Sequence, residues 1–219
     1  MRIFERFLRT IYPPKCILCG RVLSKEETDL CRSCRLDQEE YVSTKKKISF
    51  IAQWTAMWYY KDNVRNSLHQ FKFYNVRSHA DAYGRLLAMH LLHKGWTDFD
   101  LVTWAPISAR RRRERGYDQC KLLCVAVCRE LGLPCVATLK KHRHVQPQSL
   151  LKDVSERRAN VLGAYKLRKS PSLVGKRILL LDDIITTGAT ASECARMLMT
   201  AGAKEVYCAA IAATEHKGR

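Results

Sequence analysis

The clearest pattern of hydrophobic and polar positions lies in the last third of the chain. An apolar run over residues 178–181 ends at two aspartates and a turn rich in Thr and Gly. A helical pattern follows over about 190–202, and a second apolar run covers residues 206–213. Strand, loop, helix and strand in succession are typical of a parallel sheet with helices on its faces, so we expect an α/β fold.

The centre of the chain continues this alternation. Residues 48–60 are rich in β-branched and aromatic side chains, which predicts a strand, and helical patterns follow through residue 72 and over 80–91. A short apolar run at 101–106 predicts another strand. After it we expect a basic loop, a helix over about 118–131, a short strand at 135–139, and a polar, basic loop over 140–160 that is long enough to suggest a function.

The first part of the chain has a different character. Residues 1–45 show little regular periodicity and end in a polar, charged stretch at 43–47 that suits a linker. The first nine residues interleave charges with apolar residues at helical spacing, which predicts a short amphipathic helix. We therefore expect two domains: a small N-terminal module over 1–45 and a main α/β domain over 46–219.

Composition narrows the possible partners and the compartment. The 219 residues include 39 Lys and Arg against 21 Asp and Glu, a formal net charge of +18, and 47% of them are hydrophobic. This excess of positive charge favours a polyanionic partner, either nucleic acid or a multiply phosphorylated small molecule. The apolar runs are too short to cross a bilayer, and the N-terminus lacks the pattern of a signal peptide, so we expect no membrane insertion and a cytoplasmic location.

Four of the ten cysteines form two pairs with two residues between their members. The pairs are separated by 11 residues, and the four cysteines are Cys16, Cys19, Cys31 and Cys34. Each pair places two thiolates on one turn, so together they supply four corners of a tetrahedron and leave no open position. This predicts a structural Zn²⁺ site, rather than a redox dithiol, in a module too small to have its own core. The module either contacts nucleic acid or a partner protein, or it only braces the main domain.

Three further cysteines, Cys120, Cys124 and Cys128, share one face of the predicted helix over 118–131. This stripe resembles a set of metal ligands. We interpret the three as small apolar core residues, because no second cluster faces them at motif spacing.

The segment over residues 178–190 resembles the phosphoribosyl pyrophosphate (PRPP) motif of type I phosphoribosyltransferases. Its strand ends at the edge of the sheet where ligands of open α/β folds bind, and its glycine lets the backbone approach an anion. Amides at the start of the next helix, with the threonine hydroxyls, suit a 5′-phosphate. The resemblance implies that the two aspartates lie by the ribose hydroxyls and that Mg²⁺ bridges the sugar diphosphate. The motif comprises Asp182, Asp183, Thr186, Thr187, Gly188, Ala189 and Thr190.

A second charged segment precedes the predicted helix at 118. Residues 101–170 hold 16 Lys and Arg against 5 Asp and Glu, and four consecutive arginines stand at 110–113. The segment follows an apolar strand, so it lies at the same edge of the sheet as the acidic pair. Guanidinium groups there suit a bidentate clamp on phosphate, and the alternative is a solvated surface charge.

Taken together, the motifs resemble the ComF/GntX family of competence-associated, phosphoribosyltransferase-like proteins. The match rests on the order of the cysteine pairs, the basic segment written PxxxxRRRxRGYDQ, the downstream Gln146, Arg158 and Asn160, and the PRPP motif. Asp118 departs from the family, which usually has asparagine there. The resemblance implies a pyrophosphate side lined by Arg113, Arg115, Gly116 and Gln119, a loop with Gln146 and Arg158 that closes over the site, and a further ligand-facing residue, Lys72.

Two functions from different classes agree with these features. The first is a protein that binds PRPP or a related ribose phosphate with Mg²⁺ and acts in DNA uptake during natural competence. Transferase activity stays open, since no residue stands out as a catalytic base. The second is a non-enzymatic adaptor for single-stranded DNA, with arginines on phosphates and aromatic rings on bases. The family resemblance also suggests a competence helicase and other DNA-processing proteins as partners.

Overall fold

A computed structural model describes residues 13–42, 47–74, 76–143, 159–169 and 171–215, and strands alternate with helices along these ranges. The strands are β1 (Gln53–Tyr59), β2 (Leu101–Trp104), β3 (Leu139–Lys141), β4 (Tyr165–Leu167), β5 (Arg177–Ile185) and β6 (Glu205–Ala213). Four of them form a parallel sheet in the order β1-β6-β5-β2, and β3 pairs with β4 in an antiparallel hairpin. The predicted parallel sheet is confirmed.

The helices cover both faces of this sheet. They are α1 (Arg32–Asp37), α2 (Asp62–Phe73), α3 (His79–His93), α4 (Ala109–Arg115), α5 (Gln119–Leu131) and α6 (Ala189–Thr200). Leu179 and Leu181 belong to the apolar cluster that contains residues of α3 and α5, whereas Ile178 and Leu180 belong to the cluster that contains residues of α6. Burial on both faces explains why β5 is a continuous apolar run instead of an alternating one. Within the described ranges, no helix combines the length and apolarity needed to span a membrane.

Strand β5 is longer than the sequence predicts. We expected it to end at Leu181, but it continues through both aspartates to Ile185. The reason is that β6 runs alongside for the whole distance, with Asp182 opposite Ala210 and Ile185 opposite Ala213. The acidic pair therefore lies inside the sheet's hydrogen-bond ladder, and its backbone is fixed by the neighbouring strand.

The prediction of a basic loop after β2 was wrong, because this segment contains helix α4. Ser108 caps this helix by accepting a hydrogen bond from Arg111 N at 3.3 Å, and Gly116 ends it with φ of 76°. The strand expected at 135–139 is also shifted. Cys135 forms an isolated parallel bridge with Val102, and the regular strand β3 begins only at Leu139.

The N-terminal module packs against the main domain. Tyr41 N donates to Met57 O at 2.9 Å, and Glu40 forms an antiparallel bridge with Trp58 of β1. Ile17 of the module is buried in the same cluster as α3, and its carbonyl accepts a hydrogen bond from Ser67 Oγ. The module thus braces the main domain. The predicted helix over residues 1–9 and residues 43–46 of the predicted linker at 43–47 lie outside the described residues, so the domain boundary at 45 stays a prediction.

Candidate functional site

The four paired cysteines converge on one point in the N-terminal module. The Sγ atoms of Cys16, Cys19, Cys31 and Cys34 all lie within 4.8 Å of one another, and Cys19 Sγ is 3.7 Å from Cys31 Sγ. Cys31 also caps α1, since its Sγ accepts a hydrogen bond from Cys34 N at 3.4 Å. That bond is the largest cause of a Cys31 pKa lowered to about 7. Four sulfur donors in one cluster fit Zn²⁺ in a closed, structural coordination.

The acidic pair is buried at the carboxyl end of β5. Asp183 receives two partners from different helices: Lys72 Nζ of α2 is 3.1 Å from its Oδ1, and Gln119 Nε2 of α5 donates to its Oδ2 at 2.8 Å. Asp182 Oδ1 accepts hydrogen bonds from Asp183 N at 2.9 Å and from Cys120 Sγ at 3.5 Å. Two helices and the strand therefore fix the positions of the carboxylates before any ligand binds.

Burial changes the protonation of this pair. The pKa of Asp182 is raised to about 7, chiefly because the carboxyl is removed from water and secondly because Asp183 carries a like charge beside it. Lys72 opposes the shift. The positive charge of Lys72 therefore does not fully compensate the two carboxylates near neutral pH. A cation or a hydroxyl donor from a ligand would stabilise the ionised form of Asp182.

Residues 186–188 join β5 to α6, and Ala189 and Thr190 begin the helix. Thr187 Oγ1 accepts a hydrogen bond from Ala189 N at 3.3 Å, and Gly188 has φ of +82°, a conformation that other residues adopt only with strain. A Cβ atom added to Gly188 would lie 2.8 Å from Cδ1 of Ile48. Glycine at this position therefore permits both the sharp turn into the helix and the close packing of Ile48 behind it.

Helix α4 brings the arginines to the same edge of the sheet, because β2 is the neighbour of β5 and Trp104 lies opposite Leu181. Arg111 is half-buried, and its pKa is lowered by burial and by the charge of Arg115. The guanidinium of Arg115 lies 4.7 Å from the ring centroid of Phe73, whereas Arg113 is exposed. This edge thus presents several positive charges beside the acidic pair.

Comparison with known proteins agrees with both parts of this architecture. Residues 7–44 match the double zinc ribbon domain family, and residues 119–219 match the phosphoribosyl transferase domain family. The DNA utilization protein YhgH of Escherichia coli K12 is 27% identical over 204 residues, which is 88% of each chain. Competence protein ComFC of Streptococcus pneumoniae is 28% identical over 188 residues, which is 86% of this chain and 77% of that protein.

The chain therefore combines a double zinc ribbon domain with a phosphoribosyl transferase domain, and it is similar to proteins named for DNA utilization and for competence. A further relative, competence protein F of Haemophilus influenzae, is 33% identical over 103 residues, covering 46% of this chain and 44% of its own. Among solved structures, glutamine PRPP amidotransferase from B. subtilis complexed with ADP and GMP is similar over 64% of this chain and 29% of that one, with 22% identity and a TM-score of 0.43.

The residues that the ComF/GntX resemblance implies are distributed unevenly in the structure. Lys72 and Gln119 meet directly at Asp183, and Arg115 is close by at Phe73. Gly116 ends helix α4 with a left-handed backbone. Arg113 is exposed, so its assignment to phosphate stays a prediction. Gln146 and Arg158 lie outside the described residues.

The departure of Asp118 from the ComF/GntX pattern has a structural explanation. Its carboxylate caps helix α5, with Oδ1 accepting from Lys121 N at 3.1 Å and Oδ2 accepting from Ile107 N at 3.2 Å. Burial raises the pKa of Asp118, and these two backbone donors oppose the shift. Since both oxygens are engaged by the backbone, Asp118 holds the junction of α4 and α5 that positions Gln119.

Two residues at the site were missed from the sequence. Lys141 of β3 donates from Nζ to Tyr165 OH of β4 at 3.0 Å, and the Tyr165 side chain is hydrogen-bonded to Thr190 of the PRPP-like loop. Burial, followed by the charge of Arg111, lowers the pKa of Lys141 to about 8. The sequence around Lys141 shows only a basic stretch. Lys141 meets Tyr165 through pairing of two strands that are 24 residues apart, and no local sequence pattern predicts such a pairing.

Proposed function

We propose that the chain binds PRPP or a related ribose phosphate together with Mg²⁺ at the carboxyl end of β5. The observation that carries the proposal is the adjacency of a buried carboxylate pair and a glycine-containing loop that opens a helix. Carboxylates beside a phosphate-binding loop would repel an anion alone. They suit a ligand that presents hydroxyl groups or a metal ion next to its phosphate.

In this proposal the ligand lies across the loop with its ribose over the acidic pair. Asp182 and Asp183 accept hydrogen bonds from the vicinal 2′- and 3′-hydroxyls, while Lys72 and Gln119 keep Asp183 in place. The hydroxyls of Thr186, Thr187 and Thr190, with the backbone at Gly188 and Ala189, hold the 5′-phosphate.

Magnesium fits the chemistry of this pocket. Mg²⁺ prefers oxygen ligands and is usually held by one or two carboxylates together with substrate phosphates, and the buried pair supplies the carboxylate oxygens. When bound, the ion neutralises charge on the diphosphate. It would also favour the ionised form of Asp182.

The diphosphate is assigned to the arginine side of the site. Arg113, Arg115 and Arg158 supply positive charge, and the backbone at Gly116 supplies close access. Gln119 presents a buried Oε1 that has no hydrogen-bond partner among the described residues, so it is available as an acceptor for a ligand hydroxyl. In a transferase, an acceptor nucleophile would bond to C1 as the bond between C1 and pyrophosphate breaks, and the arginines would stabilise the leaving pyrophosphate.

We assign the biological role to DNA uptake and processing during competence, in the cytoplasm. The names of the relatives from E. coli, H. influenzae and S. pneumoniae support this role. The thiolate-rich zinc ribbon suits a reducing compartment. A competence helicase and other DNA-processing proteins are the partners that we propose.

Calorimetric titration of PRPP into the zinc-loaded protein, with and without Mg²⁺, tests the pocket. We expect Mg²⁺-dependent binding that is lost in the variant with Asp182→Asn and Asp183→Asn, because the amides cannot match the carboxylates toward hydroxyls and metal. Asp81→Asn, an exposed change on α3, is the matched control and should bind like the wild type. Unchanged affinity in the double variant would refute the pocket.

A second function is favoured by a different surface. Phe73 and Tyr74 are 56% and 68% exposed at the end of α2, and Arg115 of α4 lies over the Phe73 ring. Helix α4 also carries the exposed Arg112 and Arg113. Exposed rings next to guanidinium groups suit single-stranded DNA, with bases stacked on the rings. In that case the chain is a non-enzymatic adaptor. An affinity for oligonucleotides that falls steeply with salt, together with no turnover of PRPP, would establish the adaptor function.

A further inference from the structure

Three cysteines outside the zinc ribbon converge on a second point in the molecule. Cys124 and Cys128 lie one turn apart on α5, and Cys135 lies on the segment that follows this helix. Cys124 Sγ is 3.3 Å from Cys135 Sγ and 4.0 Å from Cys128 Sγ, and all three sulfurs lie within 4.8 Å of one another. We had expected no partner to face the cysteine stripe of α5, and Cys135 is that partner.

The backbone fixes Cys135 in this position. Gly132 ends α5 with a left-handed backbone, which turns the chain back along the sheet. Val102 of β2 then holds both neighbours of Cys135, since Val102 N donates to Pro134 O at 2.8 Å and Val136 N donates to Val102 O at 2.9 Å. The third thiol is therefore presented to the helix by the edge of the central sheet and is not a chance contact of a free loop.

The spacing of the sulfurs matches that of the zinc ribbon in the same molecule. There, Cys19 and Cys31 place their sulfurs 3.7 Å apart, between the 3.3 Å and 4.0 Å separations of the second cluster. Sulfurs bound to one metal ion at about 2.3 Å are separated by distances of this order. Cys120 is the remaining member of the stripe. Its Sγ contacts Asp182, so it lies beside the acidic pair and not in the second cysteine cluster.

We propose that Cys124, Cys128 and Cys135 form a second metal site that holds a soft d¹⁰ ion through three thiolates. Soft thiolate ligands select Cu(I) and Zn²⁺ among the available metals. Cys124 and Cys128 are buried and Cys135 is exposed, so an ion can enter from the side of Cys135 and a water molecule can complete the coordination of Zn²⁺ there. This site is independent of the ribose-phosphate pocket.

Metal binding by the full-length, zinc-loaded protein tests the site. Fully reduced protein is titrated anaerobically, in separate arms, with Cu(I) and with Zn²⁺ against a competing chelator, and bound metal is counted by native mass spectrometry. We expect the wild type to bind about one equivalent of Cu(I) or Zn²⁺ beyond the zinc of the ribbon, and the arm that shows it identifies the ion. The exposed Cys135→Ser change should abolish this equivalent and leave the ribbon zinc in place.

The control is Cys194→Ser, which alters a buried cysteine of α6 outside both clusters and should retain the extra ion. Cys124→Ser should lose it, as Cys135→Ser does. The proposal is overturned if the wild type binds no ion beyond the ribbon zinc, or if Cys135→Ser binds as much as the wild type. It is also overturned if Cys124 and Cys135 are isolated as a disulfide that excludes metal even after reductant is added.

Discussion

At the scale of single residues, the state of Asp182 governs the candidate site. Its carboxyl has a pKa of about 7 in the folded protein against an ordinary value of 3.8, because it is buried beside Asp183. Between these two values the folded protein binds more protons than the unfolded chain. The contribution of Asp182 to the free energy of unfolding therefore decreases as the pH rises from about 4 to about 7, and it stays low above that pH.

This argument predicts that Asp182→Asn stabilises the protein at pH 8 more than at pH 4. The gain at pH 8 should be about 1 kcal/mol or more, since a tenfold change in proton affinity corresponds to about 1.4 kcal/mol. Denaturant unfolding of both proteins at several pH values measures it, and subtracting the wild-type curve removes the effect of other carboxyls, such as Glu27 and Glu193, whose pKa values are lowered. If the difference in free energy of unfolding between Asp182→Asn and the wild type does not change with pH, the raised pKa of Asp182 is contradicted.

The sequence predicts residues at this scale only where a local pattern exists. Asp182, Asp183 and Gly188 follow from an apolar strand that runs into a Thr and Gly turn. Lys141 and Tyr165 do not, because they meet through pairing of two short strands that are distant in the chain. Lys72 was expected to face the ligand, but its ion pair with Asp183 was not predicted. That contact depends on how α2 packs.

At the scale of elements, α4 is the part that the sequence missed. Its seven residues include no buried position, so the apolar periodicity that predicts a helix is absent. The capping signals at Ser108 and Gly116 were present, but they are weak without that periodicity. Helices α2, α3, α5 and α6 were predicted to within a few residues because each buries an apolar stripe against the sheet.

The position of α4 predicts the effect of removing two arginines from its C-terminal half. The change of both Arg113→Ala and Arg115→Ala should weaken PRPP binding about tenfold, or about 1.4 kcal/mol, because positive charge is lost next to the diphosphate. The matched control is Arg110→Ala on the same helix, where the arginine is exposed and paired with Glu114 at 2.8 Å. Calorimetry compares the three proteins. Equal PRPP affinity in all three proteins would show that Arg113 and Arg115 are surface charges that do not contact the diphosphate.

The zinc ribbon predicts a structural phenotype at the same scale. Cys16→Ser should release zinc and reduce the free energy of unfolding by about 3 kcal/mol or more, since the loss of a structural metal is among the largest effects of single substitutions. The effect should reach the main domain because Ile17 shares its core with α3. Metal analysis and thermal unfolding measure both. Ser33→Ala on α1 is the control, and a full zinc complement in Cys16→Ser would contradict the four-thiolate site.

At the scale of the whole molecule, two neighbouring strands of one sheet bring opposite charges together. Strand β5 carries the acidic pair into the sheet, and β2 leads into the arginine helix beside it. The alternation of strands and helices in the sequence was sufficient to predict this edge. More than half of the excess positive charge lies in residues 101–170, and it favours an anionic partner without distinguishing a sugar diphosphate from DNA.

Hydrogen exchange measured by mass spectrometry tests the ribose-phosphate pocket most directly, because it locates the ligand as well as detecting it. With PRPP and Mg²⁺ present, we expect slower exchange of the backbone amides over residues 186–190, where the 5′-phosphate is held. The protection should be absent when Mg²⁺ is omitted and in the variant with Asp182→Asn and Asp183→Asn. Binding of PRPP that leaves exchange at residues 186–190 unchanged would contradict the account.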